Sequence, residues 1–254
     1  MKPHIERHGH GPEIVLVHGW GLHAGVWDEL AATLAARFTV LSLDLPGHGR
    51  SRITPMPARL DELTDALVAQ LPGPAIWLGW SLGGLVALDA ARRYPERVSK
   101  LVLTAATPRF VQAPDWSAAM APGVFGDFAA NLRTDYRGTL LRFLSLQAGG
   151  DGEGRALIKR LRSGLFAHGE PPPQALANGL AILEATDLRG TLAAIATPAL
   201  VVHGQLDRLA PPAAGEYLAA RLPYARFALL PGAGHAPFLT QPRRYAELLR
   251  EFLG

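Results

Sequence analysis

The chain has 254 residues, of which 48% are hydrophobic and 19% charged, and its formal net charge is +3. These values are typical of a globular protein with a substantial core, and the charge balance is too small to indicate a nucleic-acid partner. The absence of cysteine excludes a disulfide framework, a thiolate metal site and a cysteine nucleophile.

The sequence contains no apolar stretch close to the roughly 18 residues that span a bilayer, and its first residues lack the apolar segment of a signal peptide. We therefore expect a cytoplasmic monomer with no membrane contact. The chemistry described below requires no metal or organic cofactor, so we expect neither.

Strand-like and helix-like segments alternate through the first 108 residues. Strands are predicted at 13–17, 38–43, 75–78 and 98–105, and helices at 24–37, 58–71 and 82–94. Strands that alternate with helices indicate a parallel sheet covered by helices on both faces.

The alternation stops near residue 108 and returns near residue 187. Helical pieces are predicted between these points at 125–131, 136–147 and 155–166, and the later strands (198–202 and 226–230) alternate with helices at 212–222 and 242–252. We predict one mostly parallel core made of residues 1–108 and 187–254, with residues 109–186 inserted as a helical lid.

The turn between the predicted strand at 75–78 and the following helix reads Gly79-Trp80-Ser81-Leu82-Gly83. G-x-S-x-G at a strand-to-helix turn is typical of a nucleophile elbow, which exposes a serine hydroxyl to a base and to backbone N–H groups. Glycines on both sides of Ser81 allow such a tight turn to close. The motif predicts Ser81 as a nucleophile.

A serine nucleophile needs a base and a carboxylate that orients the base, and two late loops supply them. Asp207 and His235 each follow a predicted strand, and the order Ser81, Asp207, His235 is that of α/β-hydrolases. The N–H groups of Trp20 and Leu82 are the expected oxyanion-hole donors. By contrast, we expect His18, His48 and His203 to be structural.

One alternative function comes from residues 19–24, which match G-x-G-x-x-A after a strand and before a helix. Asp44 follows about 20 residues later, as in a dinucleotide-binding fingerprint. A nicotinamide-dependent dehydrogenase is therefore an alternative, although it leaves Ser81, Asp207 and His235 without a role. A non-catalytic receptor is a second alternative, although such proteins often lose a member of the triad.

The whole core resembles the α/β-hydrolase superfamily, on HGWG at 18–21, DLPGHGRS at 44–51, GWSLGG at 79–84, HG-x-x-D at 203–207 and GH at 234–235. A narrower set of sequence segments resembles the pimeloyl-[acyl-carrier protein] methyl ester esterase family of biotin synthesis. These segments are HGWGL at 18–22, AIWLGWSLGGLVA at 75–87, RFLSLQ at 142–147, DLR at 187–189 and GHAPF at 234–238.

This narrower resemblance implies a serine carboxylesterase that cleaves the methyl ester of pimeloyl-acyl carrier protein through an acyl-enzyme. It also implies a substrate site lined by Trp20, Leu82, Phe143, Leu144, Ser145, Leu146, Gln147 and His235. The glycine-rich stretch at 148–154 departs from the family pattern. A general short-chain carboxylesterase acting on small esters, a lactonase and a carbon–carbon bond hydrolase stay open as alternatives.

The predicted lid carries an excess of basic residues. Arg155, Lys159 and Arg162 recur at helical spacing on one face, and Arg142 lies nearby. Since the carrier-protein partners of the resembled family are acidic, these four residues are candidate contacts for a carrier protein. The alternative is an ordinary solvated helix face.

Overall fold

A seven-stranded sheet forms the centre of the computed structural model, which describes residues 2–147, 164 and 166–254. The strand order is β1-β3-β2-β4-β5-β6-β7, and all neighbouring strands are parallel except β1 and β3. The strands are β1 (Ile5–His8), β2 (Glu13–Val17), β3 (Thr39–Leu43), β4 (Ala75–Trp80), β5 (Val98–Thr104), β6 (Ala199–Gly204) and β7 (Ala225–Leu230).

Helices connect most of these strands and pack on the sheet. The helices before the insertion are α1 (Asp28–Leu34), α2 (Leu60–Val68) and α3 (Leu82–Arg93). Those of the insertion are α4 (Pro122–Thr134), α5 (Tyr136–Gln147) and α6 (Pro173–Ala185), and α7 (Pro212–Arg221), α8 (Pro237–Thr240) and α9 (Pro242–Leu253) follow. The predicted mostly parallel sheet packed against helices is confirmed.

The central strands β2 and β4 are almost entirely apolar, as expected for strands of a sheet that is covered by helices. All six residues of β4 are buried, as are Ile14, Val15, Leu16 and Val17 of β2. Such continuous apolar runs are typical of parallel strands. Val17 pairs with Gly79, and Trp80 pairs with Thr104, so that the carboxyl ends of β2, β4 and β5 lie side by side.

The structure differs from the sequence prediction at several elements. Strand β1 reads Ile-Glu-Arg-His, a pattern without apolar alternation, and it forms only through antiparallel pairing with β3. The helix predicted at 24–37 is divided into a 3₁₀ turn (Ala24–Trp27) and α1. Helices α6 and α8 were not predicted, and each begins at a proline, a residue that favours the first turn of a helix.

Polar contacts join the two ends of the predicted lid at its junction with the core. The Leu188 N–H donates to the Pro108 carbonyl at 2.9 Å. Asp187 pairs with Arg109 at 2.9 Å and with Arg189 at 2.8 Å. These contacts give the DLR motif a structural role. The division into core and lid nevertheless stays a prediction.

Within residues 2–147, 164 and 166–254, every helix is too short or too polar to cross a membrane.

Candidate active site

The turn at Ser81 has the strained backbone of a nucleophile elbow. Ser81 has φ 56° and ψ −117°, a backbone conformation that residues other than glycine rarely adopt. Its N–H donates to the Thr104 carbonyl at 3.0 Å, which ties the turn to β5. The nucleophile candidate therefore lies at the carboxyl edge of the sheet, between β4 and α3.

Two glycines allow this turn because backbone atoms leave no room for a Cβ at either position. A Cβ on Gly79 would lie 2.1 Å from the Gly83 carbonyl oxygen, and a Cβ on Gly83 would lie 2.2 Å from the Val17 carbonyl oxygen. Both distances are far below contact range. The elbow thus packs directly on its own helix and on the end of β2.

Asp207 and His235 form a buried pair at the ends of β6 and β7. The His235 Nδ1 lies 2.8 Å from the Asp207 Oδ2, and both side chains are inaccessible to solvent. The other carboxylate oxygen of Asp207 accepts the N–H groups of Leu209 and Ala210, each at 2.9 Å. These bonds fix the carboxylate, which in turn holds His235 with Nδ1–H toward Asp207.

The second ring nitrogen of His235 is placed differently. Nε2 is buried and has no hydrogen-bond partner among the described residues. His235 and Ser81 both line the same cavity. This arrangement suits an imidazole whose Nδ1 is held by a carboxylate and whose Nε2 is kept for proton transfer.

The loop after β2 lies against the elbow, where the sequence predicts an oxyanion hole. A Cβ on Gly19 would lie 3.3 Å from the Ser81 Cβ, so that residues 18–21 closely approach the nucleophile. Leu82 is the first residue of α3, a position whose N–H has no acceptor within the helix. The Trp20 indole Nε1 donates to the Leu176 carbonyl at 2.9 Å, which orients the loop against α6.

Buried polar side chains hold this loop from beneath. Burial lowers the pKa of His18 to about 3, so the ring is neutral, and its Nε2 accepts the Leu45 N–H at 2.9 Å. The Asp44 carboxylate accepts the N–H groups of Ala24 at 2.7 Å and Arg50 at 2.8 Å. Burial opposes ionisation of Asp44, but the pKa of its carboxyl is lowered, and the hydrogen bonds from Ala24 and Arg50 contribute to this shift.

A small apolar cavity of about 60 Å³ opens onto Ser81, His235 and Trp20. Its remaining wall is formed by apolar side chains of the insertion and of the loop after β6, namely Phe110, Met120, Val124, Phe125, Phe128, Leu180, Leu183 and Leu209. Leu82 is fully buried beside this wall, and its Cδ2 lies 3.7 Å from where a Cβ on Gly179 would stand. The site suits an apolar acyl chain next to a serine.

The sequence analysis did not single out these wall residues, although their spacing carries a signal. Val124, Phe125 and Phe128 recur at one helical face of α4, and Leu180 and Leu183 do so in α6. The pattern shows that each helix has an apolar face, but not whether that face meets a neighbouring helix or a cavity.

The other predicted pocket and carrier-protein residues are described only in part. Phe143, Leu144, Ser145, Leu146 and Gln147 belong to α5, but their side chains lie outside the described residues, as do Arg155, Lys159 and Arg162 altogether. Arg142 is exposed, and it donates to the Thr139 hydroxyl at 2.9 Å and to Asp135 at 3.4 Å.

The loop that imitates a dinucleotide fingerprint is covered by other parts of the chain. Residues 18–24 are all buried. A Cβ on Gly21 would lie 2.7 Å from the Leu140 Cδ2, and the Trp20 indole is bonded to α6. A dinucleotide would have to displace the helices packed over this loop, which argues against the dehydrogenase alternative.

The chain is similar to known hydrolases in sequence and in fold. The family model described as alpha/beta hydrolase fold matches residues 12–242. A pimeloyl-[acyl-carrier protein] methyl ester esterase from Xanthomonas axonopodis pv. citri is 48% identical over 98% of both chains.

Two solved structures show the same similarity at lower sequence identity. A thermophilic esterase from Thermogutta terrifontis has a TM-score of 0.84 and 29% identity, covering 99% of this chain and 92% of its own. The enol-lactonase from Burkholderia xenovorans LB400 has a TM-score of 0.86 and 25% identity, covering 99% of this chain and 96% of its own.

Proposed function

Because the chain belongs to the α/β-hydrolase fold family, and within it to the family of the pimeloyl-[acyl-carrier protein] methyl ester esterases, we propose that it is a serine carboxylesterase of biotin synthesis. Its proposed substrate is the methyl ester of pimeloyl-acyl carrier protein. The observation that carries the proposal is the buried His235, whose Nδ1 is paired with Asp207 and whose Nε2 is left for Ser81 at the shared cavity.

The first half of the reaction forms an acyl-enzyme. His235 Nε2 takes the Ser81 proton while Oγ attacks the ester carbonyl, and the negative charge on the carbonyl oxygen is stabilised by the N–H groups of Trp20 and Leu82. Collapse of this intermediate breaks the bond to the methoxy oxygen. His235 returns the proton to that oxygen, and methanol leaves.

The second half releases the acid. His235 takes a proton from water, whose oxygen attacks the acyl carbonyl, and the oxyanion is stabilised by the same two N–H groups. Collapse returns the proton to Ser81 Oγ and leaves a free carboxyl group on the acyl chain. Asp207 stabilises the imidazolium in both halves and keeps the ring in the productive tautomer.

The apolar wall of the cavity supports an acyl substrate with a hydrocarbon chain. The eight apolar residues of the wall offer no charged partner close to the ester, and burial of methylene groups contributes about 0.8 kcal/mol each. An acidic carrier protein would remain outside the cavity, with Arg142, Arg155, Lys159 and Arg162 as its proposed contacts. The cytoplasmic location and the monomeric state stay predictions.

The similarity to an enol-lactonase at 25% identity favours one second candidate, the hydrolysis of a cyclic ester. The same triad would open a lactone without releasing an alcohol. An enol lactone offered as substrate separates this candidate from a methyl esterase.

The decisive experiment measures the hydrolysis of three substrates, with the Ser81→Ala variant as the control. Pimeloyl-carrier methyl ester, dimethyl pimelate and p-nitrophenyl acetate are each assayed with the wild-type protein and with Ser81→Ala. We expect the highest kcat/KM for the carrier-bound ester, and a loss of about 10⁴-fold or more with Ser81→Ala on all three substrates.

Two results would contradict the proposal. Equal kcat/KM for the carrier-bound and free esters would indicate a general carboxylesterase. Near-normal turnover by a folded Ser81→Ala variant would remove the serine mechanism itself.

A further inference from the structure

Trp80, the residue immediately before Ser81, makes a hydrogen bond that the triad mechanism does not include. Its indole Nε1–H donates to the main-chain carbonyl of His235 at 2.8 Å, and both groups are buried. The two residues are 155 positions apart in the sequence. The bond therefore joins the elbow directly to the loop that carries the candidate base.

The same indole also contacts the oxyanion loop and the aromatic rings of the loop that carries His235. A Cβ on Gly19 would lie 3.2 Å from the Trp80 Cε3, so the ring supports the oxyanion loop. The Trp80 and His235 rings lie 5.8 Å apart, and Phe238, three residues after His235, packs edge-on against Trp80 at 5.1 Å. One side chain thus contacts the loop of the oxyanion hole and the loop of the base.

We propose that Trp80 is a positioning residue, whose indole N–H fixes the His235 loop relative to Ser81 so that the imidazole is correctly placed for proton transfer. This inference rests on the proposed roles of Ser81 and His235. The peptide bond between Trp80 and Ser81 makes the indole move with the nucleophile. A hydrogen bond from the indole to the base's own backbone then limits changes in the distance between nucleophile and base.

Two other buried tryptophans show that packing alone does not require this bond. Trp27 lies in the same aromatic cluster, 6.3 Å from the Trp80 ring and 4.3 Å from the Phe238 ring. The Nε1 atoms of Trp27 and Trp77 are buried without a hydrogen-bond partner among the described residues. The fold thus tolerates indoles that serve only as apolar bulk, and Trp27 provides a matched control.

The test compares Trp80→Phe with Trp27→Phe, because both lose the same atoms and only the first loses a hydrogen bond. For each variant, Tm, kcat and KM are measured with p-nitrophenyl acetate, together with the rate at which a small fluorophosphonate modifies Ser81. We expect Trp80→Phe to lower kcat and the phosphonylation rate about tenfold with KM nearly unchanged, and Trp27→Phe to change neither rate more than twofold.

A second variant preserves the ring volume. Replacing Trp80 with 3-benzothienylalanine keeps the bicyclic shape and exchanges the N–H for sulfur, so it decides the question even if Trp80→Phe folds poorly. We expect this variant to show the same loss in kcat and in phosphonylation rate.

Wild-type kcat in the benzothienylalanine variant would overturn the inference, as would equal losses in the two phenylalanine variants or a loss confined to KM. Phosphonylation requires Ser81 and its base whichever ester is the natural substrate. A wrong substrate assignment would therefore leave this test intact, whereas wild-type Ser81 that fails to react would contradict the proposed function itself.

Discussion

Two pairs of glycines, one in the elbow and one in helix α4, have opposite surroundings. At Gly79 and Gly83 a Cβ would meet backbone oxygens at 2.1 and 2.2 Å. At Gly123 and Gly126 a Cβ would meet no atom of the described residues within 4 Å, apart from its chain neighbours and the backbone of its own helix. The elbow is thus built from backbone packed on backbone, whereas α4 contributes to the site only through its side chains.

This difference predicts that substitutions in the elbow and substitutions in the cavity wall affect different properties of the protein. A change in the elbow displaces the nucleophile and should reduce reaction with every substrate. A change in the wall leaves Ser81 and His235 in place and should alter only the preference among acyl chains. Four predictions test this distinction.

The largest effect is expected for Gly83→Ala. The added methyl group would meet the Val17 carbonyl oxygen at 2.2 Å, and backbone on both sides must shift to admit it. We expect a loss of about 4 kcal/mol or more in the free energy of unfolding, with activity lost on all esters alike. Urea unfolding and the three-substrate assay measure both. Wild-type stability in this variant would show that the elbow is looser than the structure indicates.

A smaller and more selective effect is expected for Leu183→Ala in the cavity wall. Leu183 is 6% exposed and contacts the cavity. Its truncation should lower kcat/KM for the carrier-bound pimeloyl ester about tenfold, because apolar contact with the acyl chain is lost. For p-nitrophenyl acetate, whose acyl group is too short to reach the wall, the change should stay below about threefold. Equal losses on both substrates would abolish the distinction between elbow and wall.

The third prediction concerns how the free energy of unfolding depends on pH, because fully buried histidines lie beside the site. Burial lowers the pKa of His18 to about 3 and that of His203 to about 4. Between these values and the ordinary pKa of about 6.5, the unfolded chain binds protons that the folded chain excludes. The free energy of unfolding should therefore fall as pH drops below about 6.5, by about 1.4 kcal/mol per pH unit for each such histidine.

Urea unfolding at pH 7 and pH 5 measures this dependence. His203→Leu serves as the comparison, because it removes one titrating ring and should make the dependence shallower. An unchanged pH dependence in that variant would assign the protons to other groups.

The smallest effect, and of opposite sign, is expected for Gly126→Ala. This glycine lies inside α4 with open space around it, and alanine is the better helix former. We expect a gain of about 0.5–1 kcal/mol in the free energy of unfolding and unchanged kcat. A loss of stability would mean that α4 is packed more tightly at this position than the structure indicates.

Much of the fold follows from local pattern. The strands β2 to β7 and the helices α2, α3, α7 and α9 were predicted within a few residues, because continuous apolar runs and helical spacing are local properties. Strand β1 escaped prediction because only its partner β3 makes residues 5–8 a strand. Helix α6 also escaped prediction, and it begins at a proline, which can start a helix as well as end one.

The chemistry of the site was largely encoded in short motifs. The elbow motif and the chain order of Ser81, Asp207 and His235 predict the residue types that a serine hydrolase needs, since each follows a strand of one parallel sheet. What no motif contained was the 2.8 Å contact between Trp80 and His235, or the wall that α4 and α6 build over Ser81.

The fold class, the predicted triad and the glycines of the elbow can be inferred from sequence, because each depends on residue type within a few positions of a strand end. Tertiary packing sets which apolar side chains face the cavity and which of several buried tryptophans bonds to the base. The indole hydrogen bonds of Trp80 and Trp20 join residues more than a hundred positions apart, and the cavity wall, like these bonds, arises from how helices and loops pack once the sheet has formed.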